Sequence, residues 1–161
     1  MGNFNRPALL QGQWWRMLTS PMLHLNWQHV LSNAFGLWIF GARIEAIIGA
    51  WRAALLYGFS VAFSLIASYL WVPEATIGAS GGVYGLLSAY LVFMLVVQLR
   101  KGDFKAFLAM LRGLILFAAL FVYISFQEAE TVNVLGHLGG MIGGAMFALG
   151  LCWPFKRLTA R

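Results

Sequence analysis

Gly78-Ala79-Ser80-Gly81-Gly82-Val83-Tyr84-Gly85 sets one serine among four glycines, where a loop runs into a strongly apolar helix. Inside a bilayer a glycine lets another backbone come close, because no side chain holds it off. The matching stretch is His137-Leu138-Gly139-Gly140-Met141-Ile142-Gly143-Gly144, which also opens an apolar helix. Gly136, Gly140 and Gly144 repeat at four-residue spacing, as do Gly139 and Gly143. Two such helix starts can bring Ser80 and His137 within hydrogen-bond reach. A serine beside a histidine base is the minimal apparatus for nucleophilic acyl transfer. The same glycines would also serve a close-packed helix pair with a structural histidine and a serine bonded back to its own helix. Other residues have to separate the two readings.

The composition settles the solvent. Of 161 residues 61% are hydrophobic and 10% charged, and the mean hydropathy is +0.77. A soluble domain carries about 25% charged residues, so this chain belongs in a lipid bilayer. The net charge of +6 could suggest nucleic acid, but the lysines and arginines cluster between apolar segments, as topology signals do. No nucleic-acid partner is expected. The single cysteine, Cys152, excludes an intramolecular disulfide and a cysteine-based metal site, and is expected in the last helix as a small apolar residue. Residues 1 to 20 lack the continuous apolar core of a signal peptide. Met1-Gly2 is followed by Arg6 where a myristoylation signal wants Ser or Thr.

Working outward, residues 1 to 26 read as an outer or interfacial loop with short amphipathic turns, in which Trp14 and Trp15 suit an interfacial anchor. Five apolar segments follow, at 27–43, 53–71, 82–99, 107–126 and 135–153, each near the roughly 20 residues of a membrane helix. The expected fold is all-α: one polytopic membrane domain over 1–161, closed by a tail at 154–161. Arg112 interrupts the fourth segment and is expected to snorkel. Nine basic residues fall on the side of the first and third connections and the tail, against Arg6 and Arg16 opposite. That asymmetry predicts a cytoplasmic carboxyl terminus, with the 72–80 and 127–134 loops facing outward. Ser80 and His137 then start helices from the same face. A helix from Gly82 to Gln98 would span roughly 25 Å. That falls short of a roughly 30 Å core. The loop Val72–Ile77 is therefore expected to dip inward and leave Ser80 in a water-filled, outward-opening cavity.

His29 and Asn33 tip the balance. Their i, i+4 spacing puts both on one face of the first segment, at similar depth. Either is expected as interhelical polar glue if taken alone. Acyl transfer, however, needs donors aimed at a developing oxyanion, and an imidazole, an amide and the Ser80 backbone N–H would supply them. Four polar groups at one depth in a greasy bundle are costly unless they work together.

With those residues in hand, the sequence resembles the rhomboid family of intramembrane serine proteases. The matching elements are Trp15-Arg16, His24, His29-x-x-x-Asn33, Gly41 with Glu45, Gly78-x-Ser80-Gly81 with Tyr84, and His137-x-x-Gly140-x-x-x-Gly144. They run in the family's order from residue 15 to 144. The resemblance implies that Ser80 is the nucleophile and His137 its general base, with His29, Asn33 and the Ser80 amide as the oxyanion hole. It implies that Tyr84 packs on His137, while Arg16 and Glu45 support the first loop and first helix. The family core has six helices, one of them before the Trp-Arg loop. This chain starts inside that loop, and it is read with five, as a fragment or a shortened relative. Glu128 and Glu130 are read as solvated, and Asp103 as lying on the other side.

The implied activity is hydrolysis of peptide bonds in or beside transmembrane segments of membrane-protein substrates, near the outer face of a cell (plasma or inner) membrane. Preferred substrates, by the resemblance, carry small residues at the cut and a helix that unwinds easily. Lateral access is expected through movement of the 107–126 helix and the 127–134 loop. No metal or organic cofactor is implied, and the chain has no His-Glu-x-x-His motif. A catalytically silent relative that binds membrane helices is the first alternative, although Ser80 and His137 are both present. A small channel or transporter ranks below it, because the polar groups stop in the outer half.

Overall fold

The computed structural model describes residues 2–72, 76–128 and 133–152. Two short helices, α1 (Arg6–Leu10) and α2 (Arg16–Thr19), and a 3-10 turn at Ser20–Met22 precede the long ones. Asn5 caps α1 by accepting the Ala8 N–H at 2.9 Å. The first long helix, α3 (Trp27–Ile48), is capped by Asn26 through the His29 N–H and contains a π segment at Leu37–Gly41. Gly49 alone separates it from α4 (Ala50–Trp71); α5 (Ser80–Lys101), α6 (Phe104–Glu128) and α7 (Val134–Cys152) complete the chain. Asp103 opens α6 by accepting the Ala106 N–H at 2.9 Å.

Helices thus cover the expected segments 27–43, 53–71, 82–99 and 107–126, and 135–153 as far as residue 152. Among the described residues four helices, α3, α4, α5 and α7, are long and apolar enough to cross a membrane. The fifth expected span, 107–126, falls within α6. The helices run beyond the expected ends, by five residues at the end of α3 and by two at the start of α5. The second difference overturns the depth argument. Ser80 is the first residue of a 22-residue helix, not part of a loop leading into a short one. Such a helix measures about 33 Å, so no inward dip of the preceding loop is needed to span the membrane. Gly81 and Gly82 do not delay the helix because packing against α4 and α7 outweighs their weak helix propensity. Pro73–Ala75, much of the 127–134 loop and the tail lie outside the described residues.

The centre of the molecule is α4, α5 and α7, packed on one another. Apolar side chains cannot drive this association in lipid, so close backbone approach has to. A Cβ on Gly140 would run into the carbonyl oxygen of Gly81, and one on Gly144 into that of Gly85. On the other flank Ser60, Ser64 and Ser68 form a four-residue ladder along α4. Ser60 and Ser64 fill the space a side chain would take at Gly85 and Gly81. Ser60 and Ser68 donate to the Leu56 and Ser64 carbonyls of their own helix at 2.8 Å, so their burial leaves no hydroxyl proton unpaired. Ser88 joins α5 to α7 by donating to Met141 O at 2.7 Å. Large apolar side chains such as Trp38, Ile66, Leu99 and Ile142 are more than half exposed on the outside, where a bilayer would cover them.

Residues 2–26 are fastened rather than loose. Phe4 and Thr76 exchange both backbone hydrogen bonds, at 3.0 and 2.7 Å, as an isolated antiparallel bridge. Arg6 caps the end of α4 through the carbonyls of Tyr69 and Leu70, with its guanidinium over the Tyr69 ring.

Candidate active site

Ser80 opens α5 and His137 lies in the first turn of α7, so the glycine-mediated contact of those helices decides their separation. Ser80 Oγ and His137 Nε2 are 2.7 Å apart, a direct hydrogen bond between residues 57 apart in sequence. Tyr84 is one turn along α5 from Ser80 and therefore on the same face. Its ring stacks on the imidazole, with centroids 4.4 Å apart and planes 24° from parallel. Tyr84 is buried, so the stack holds the histidine from the side away from solvent. An imidazole that accepts the serine proton at Nε2 carries its own proton on Nδ1.

Gly78 has φ +110°, a conformation that disfavours any side chain, and it turns the loop into α5. It also makes room: a Cβ there would sit 2.7 Å from Cε1 and 2.8 Å from Nε2 of His29. The His29 ring is thus seated against the backbone two residues before Ser80. Its Nδ1 faces the Leu25 N–H at 3.5 Å, which leaves the ring proton on Nε2, the edge turned to Gly78. His24 stands edge-on to it, with ring centroids 4.9 Å apart.

Asn33 is buried and donates from Nδ2 to the His29 carbonyl at 2.8 Å, while its buried Oδ1 has no hydrogen-bond partner among the described residues. One amide proton is therefore committed to α3 itself. The Ser80 N–H belongs to the first turn of α5, whose leading N–H groups have no acceptor within the helix. His29 is thus seated beside the start of α5, and Asn33 lies one turn further along α3; amide and imidazole N–H groups are the kind of donor an oxyanion requires.

Of the supporting residues, Arg16 ties the first loop together: Nε donates to Gln13 Oε1 at 2.7 Å and Nη1 to Asn3 O and Oδ1 at 2.8 Å. Trp15 stays half exposed, edge-on to Trp14. Gly81, Gly140 and Gly144 all lie in the helix contact described above. Glu45 is exposed in the last turns of α3, sixteen residues beyond His29. Cys152 is half-buried at the end of α7. Glu130 and the Glu128 side chain lie outside the described residues. Among the described residues no three of His, Cys, Asp and Glu gather as a metal site would require.

Several site residues escaped the sequence reading. Asn133 and Ser20 hydrogen-bond to Thr76 in the loop before Ser80, and Ser60, Ser64 and Ser68 of α4 pack against glycines of α5 and α7. The serine ladder was visible as a four-residue spacing, and Asn133 as a helix-capping residue before an apolar run. Thr76 and Ser20 carried no local signal.

A helical membrane protein with a serine bonded to a histidine between two close-packed spans is a narrow class. Comparison with known proteins gives the family. The family model described as the Rhomboid domain matches residues 11–154. Rhomboid protease GluP of Bacillus subtilis is 34% identical over 146 residues, 89% of this chain and 27% of the relative. The Bacillus subtilis protein YdcA is 31% identical over 147 residues, 90% of this chain and 70% of the relative. Rhomboid-type serine protease 2 of Emericella nidulans is 31% identical over 143 residues, 87% of this chain and 27% of the relative. The chain belongs to the rhomboid family. It spans about a quarter of the length of GluP and of the Emericella protein.

Proposed function

We propose that this chain is a serine-type intramembrane endopeptidase that hydrolyses peptide bonds in or beside transmembrane segments of membrane-protein substrates. The observation that carries the reading is the 2.7 Å bond from Ser80 Oγ to His137 Nε2, backed by the Tyr84 ring. Family membership and the names of the relatives support the same chemistry.

In the proposed reaction Ser80 Oγ attacks the scissile carbonyl carbon as His137 Nε2 takes its proton. The carbonyl oxygen becomes an oxyanion held by the Ser80 N–H, His29 Nε2 and Asn33 Nδ2. Collapse breaks the C–N bond, and His137 returns the proton to the leaving amine. Water then adds to the acyl-enzyme with His137 again as base, releasing the acid and restoring Ser80. Tyr84 keeps the imidazole in plane through both halves. The excess of basic residues on one side favours a cytoplasmic carboxyl terminus and a site opening to the outer face of a cell membrane.

The test is cleavage of a reporter membrane helix by the intact chain, by Ser80→Ala and by His137→Ala in liposomes. Each substitution is expected to reduce turnover by roughly 10⁴-fold or more, into the background. A fluorophosphonate should label the intact chain at Ser80 and leave Ser80→Ala unlabelled. Equal product from all three chains would defeat the assignment.

A further inference from the structure

We propose that Asn133 is a positioning residue, setting the separation of Ser80 and His137 by fastening the segments from which both are launched. The inference rests on the Ser–His protease reading above.

Asn133 immediately precedes α7. Its Oδ1 accepts the Gly136 N–H at 2.7 Å and its carbonyl accepts the His137 N–H at 3.0 Å, which fixes the first turn of α7. Capping would be complete with those two bonds. Yet Nδ2 also donates twice, to Ser68 Oγ at 2.7 Å and to Thr76 Oγ1 at 3.0 Å. Both amide protons and the amide oxygen are thus spent on three different segments.

Each of those partners is itself immobilised. Ser68 is buried in α4 and passes its own proton to Ser64 O at 2.8 Å. Thr76 has both backbone groups paired with Phe4, and its carbonyl also accepts from Ser20 Oγ at 3.1 Å. Two residues on, the Gly78 N–H is held by Ser20 O at 3.0 Å. Asn133 is therefore the link between a loop pinned by the amino-terminal segment and a helix start pinned to α4. Ser80 lies four residues beyond Thr76, and His137 four beyond Asn133. Slack in that link is transmitted to the distance between hydroxyl and imidazole, where a 1 Å error costs about 100-fold in rate.

Thr76→Val keeps shape and helix cap while removing the acceptor, so it is the cleanest probe. In a reporter-cleavage assay it is expected to lower kcat about tenfold with KM within about twofold, and to slow fluorophosphonate labelling in parallel. Thr76→Ser, which restores the hydroxyl, is expected to recover the rate. Asn133→Ala, assayed below its melting temperature, should lose about 100-fold, and adding Thr76→Val should cost nothing more, because the two changes sever the same bond. Normal kcat in Thr76→Val and Asn133→Ala overturns the proposal, as do losses that multiply or a Thr76→Ser chain as slow as Thr76→Val. If Ser80→Ala still cleaves, the protease reading falls and takes this inference with it. If Ser80→Ala is silent while the Asn133 and Thr76 variants turn over normally, only the positioning role falls.

Discussion

Gly140 in α7 and Gly113 in α6 are the same residue in two apolar helices, and their surroundings have nothing in common. A Cβ at Gly140 would be driven into the Gly81 carbonyl, whereas one at Gly113 would meet nothing within 4 Å. The contrast extends along both helices. The inner face of α7 is a row of buried glycines against α4 and α5, and Ser88 ties α5 to the Met141 carbonyl in it. The α6 helix meets α5 and Trp27–Gly36 of α3, and among its described side chains Leu108, Ile115, Leu116 and Tyr123 are substantially exposed. Close backbone packing is placed where two side chains must be held at hydrogen-bond distance.

That contrast can be broken most directly at its tight end. Gly140→Ala puts a methyl group against a backbone oxygen that cannot rotate away, so it is expected to destabilise the chain by about 3 kcal/mol or more. Reporter cleavage should be lost with it, and thermal unfolding in detergent would read the stability change.

A second substitution sharpens the link between packing and chemistry. Tyr84→Ala removes the ring under His137, where a stacked aromatic pair is worth about 0.5–1.5 kcal/mol. Labelling of Ser80 by a fluorophosphonate should slow by roughly tenfold, corresponding to about 1.4 kcal/mol. Tyr84→Phe keeps the stack and tests whether the hydroxyl adds anything.

Smaller still is Ser88→Ala, which deletes one interhelical hydrogen bond. A loss of about 1 kcal/mol is expected in unfolding experiments, with cleavage retained. At the loose end Gly113→Ala should leave cleavage unchanged. It should stabilise α6 by up to about 1 kcal/mol through helix propensity alone. A Gly113→Ala chain as damaged as Gly140→Ala would erase the distinction between the two regions.

Much of the fold was legible because lipid imposes a simple code. Long apolar runs must be helices, since no water is there to satisfy a backbone left unpaired. The Ser80 and His137 pair was legible because both stand at glycine-rich helix starts, and ionisable groups are rare in such surroundings. Helix ends were less readable: the start of α5 was placed at Gly82 on weak local propensity, whereas tertiary contacts carry it back to Ser80. Glu45 entered only through the family resemblance, as a support of the first helix, and in the structure it is an exposed residue of that helix.

The sequence by itself determined the solvent, the apolar segments that become helices and which hydroxyl and imidazole were candidates to meet, because hydropathy and glycine spacing are local properties of the chain. Only the tertiary structure decided how they meet: the 2.7 Å bond, the stack on Tyr84, and the ties from Phe4, Ser20 and Asn133 onto the loop before Ser80. Those contacts join residues dozens of positions apart through single polar atoms, and no local pattern encodes which distant acceptor a given hydroxyl or amide will find.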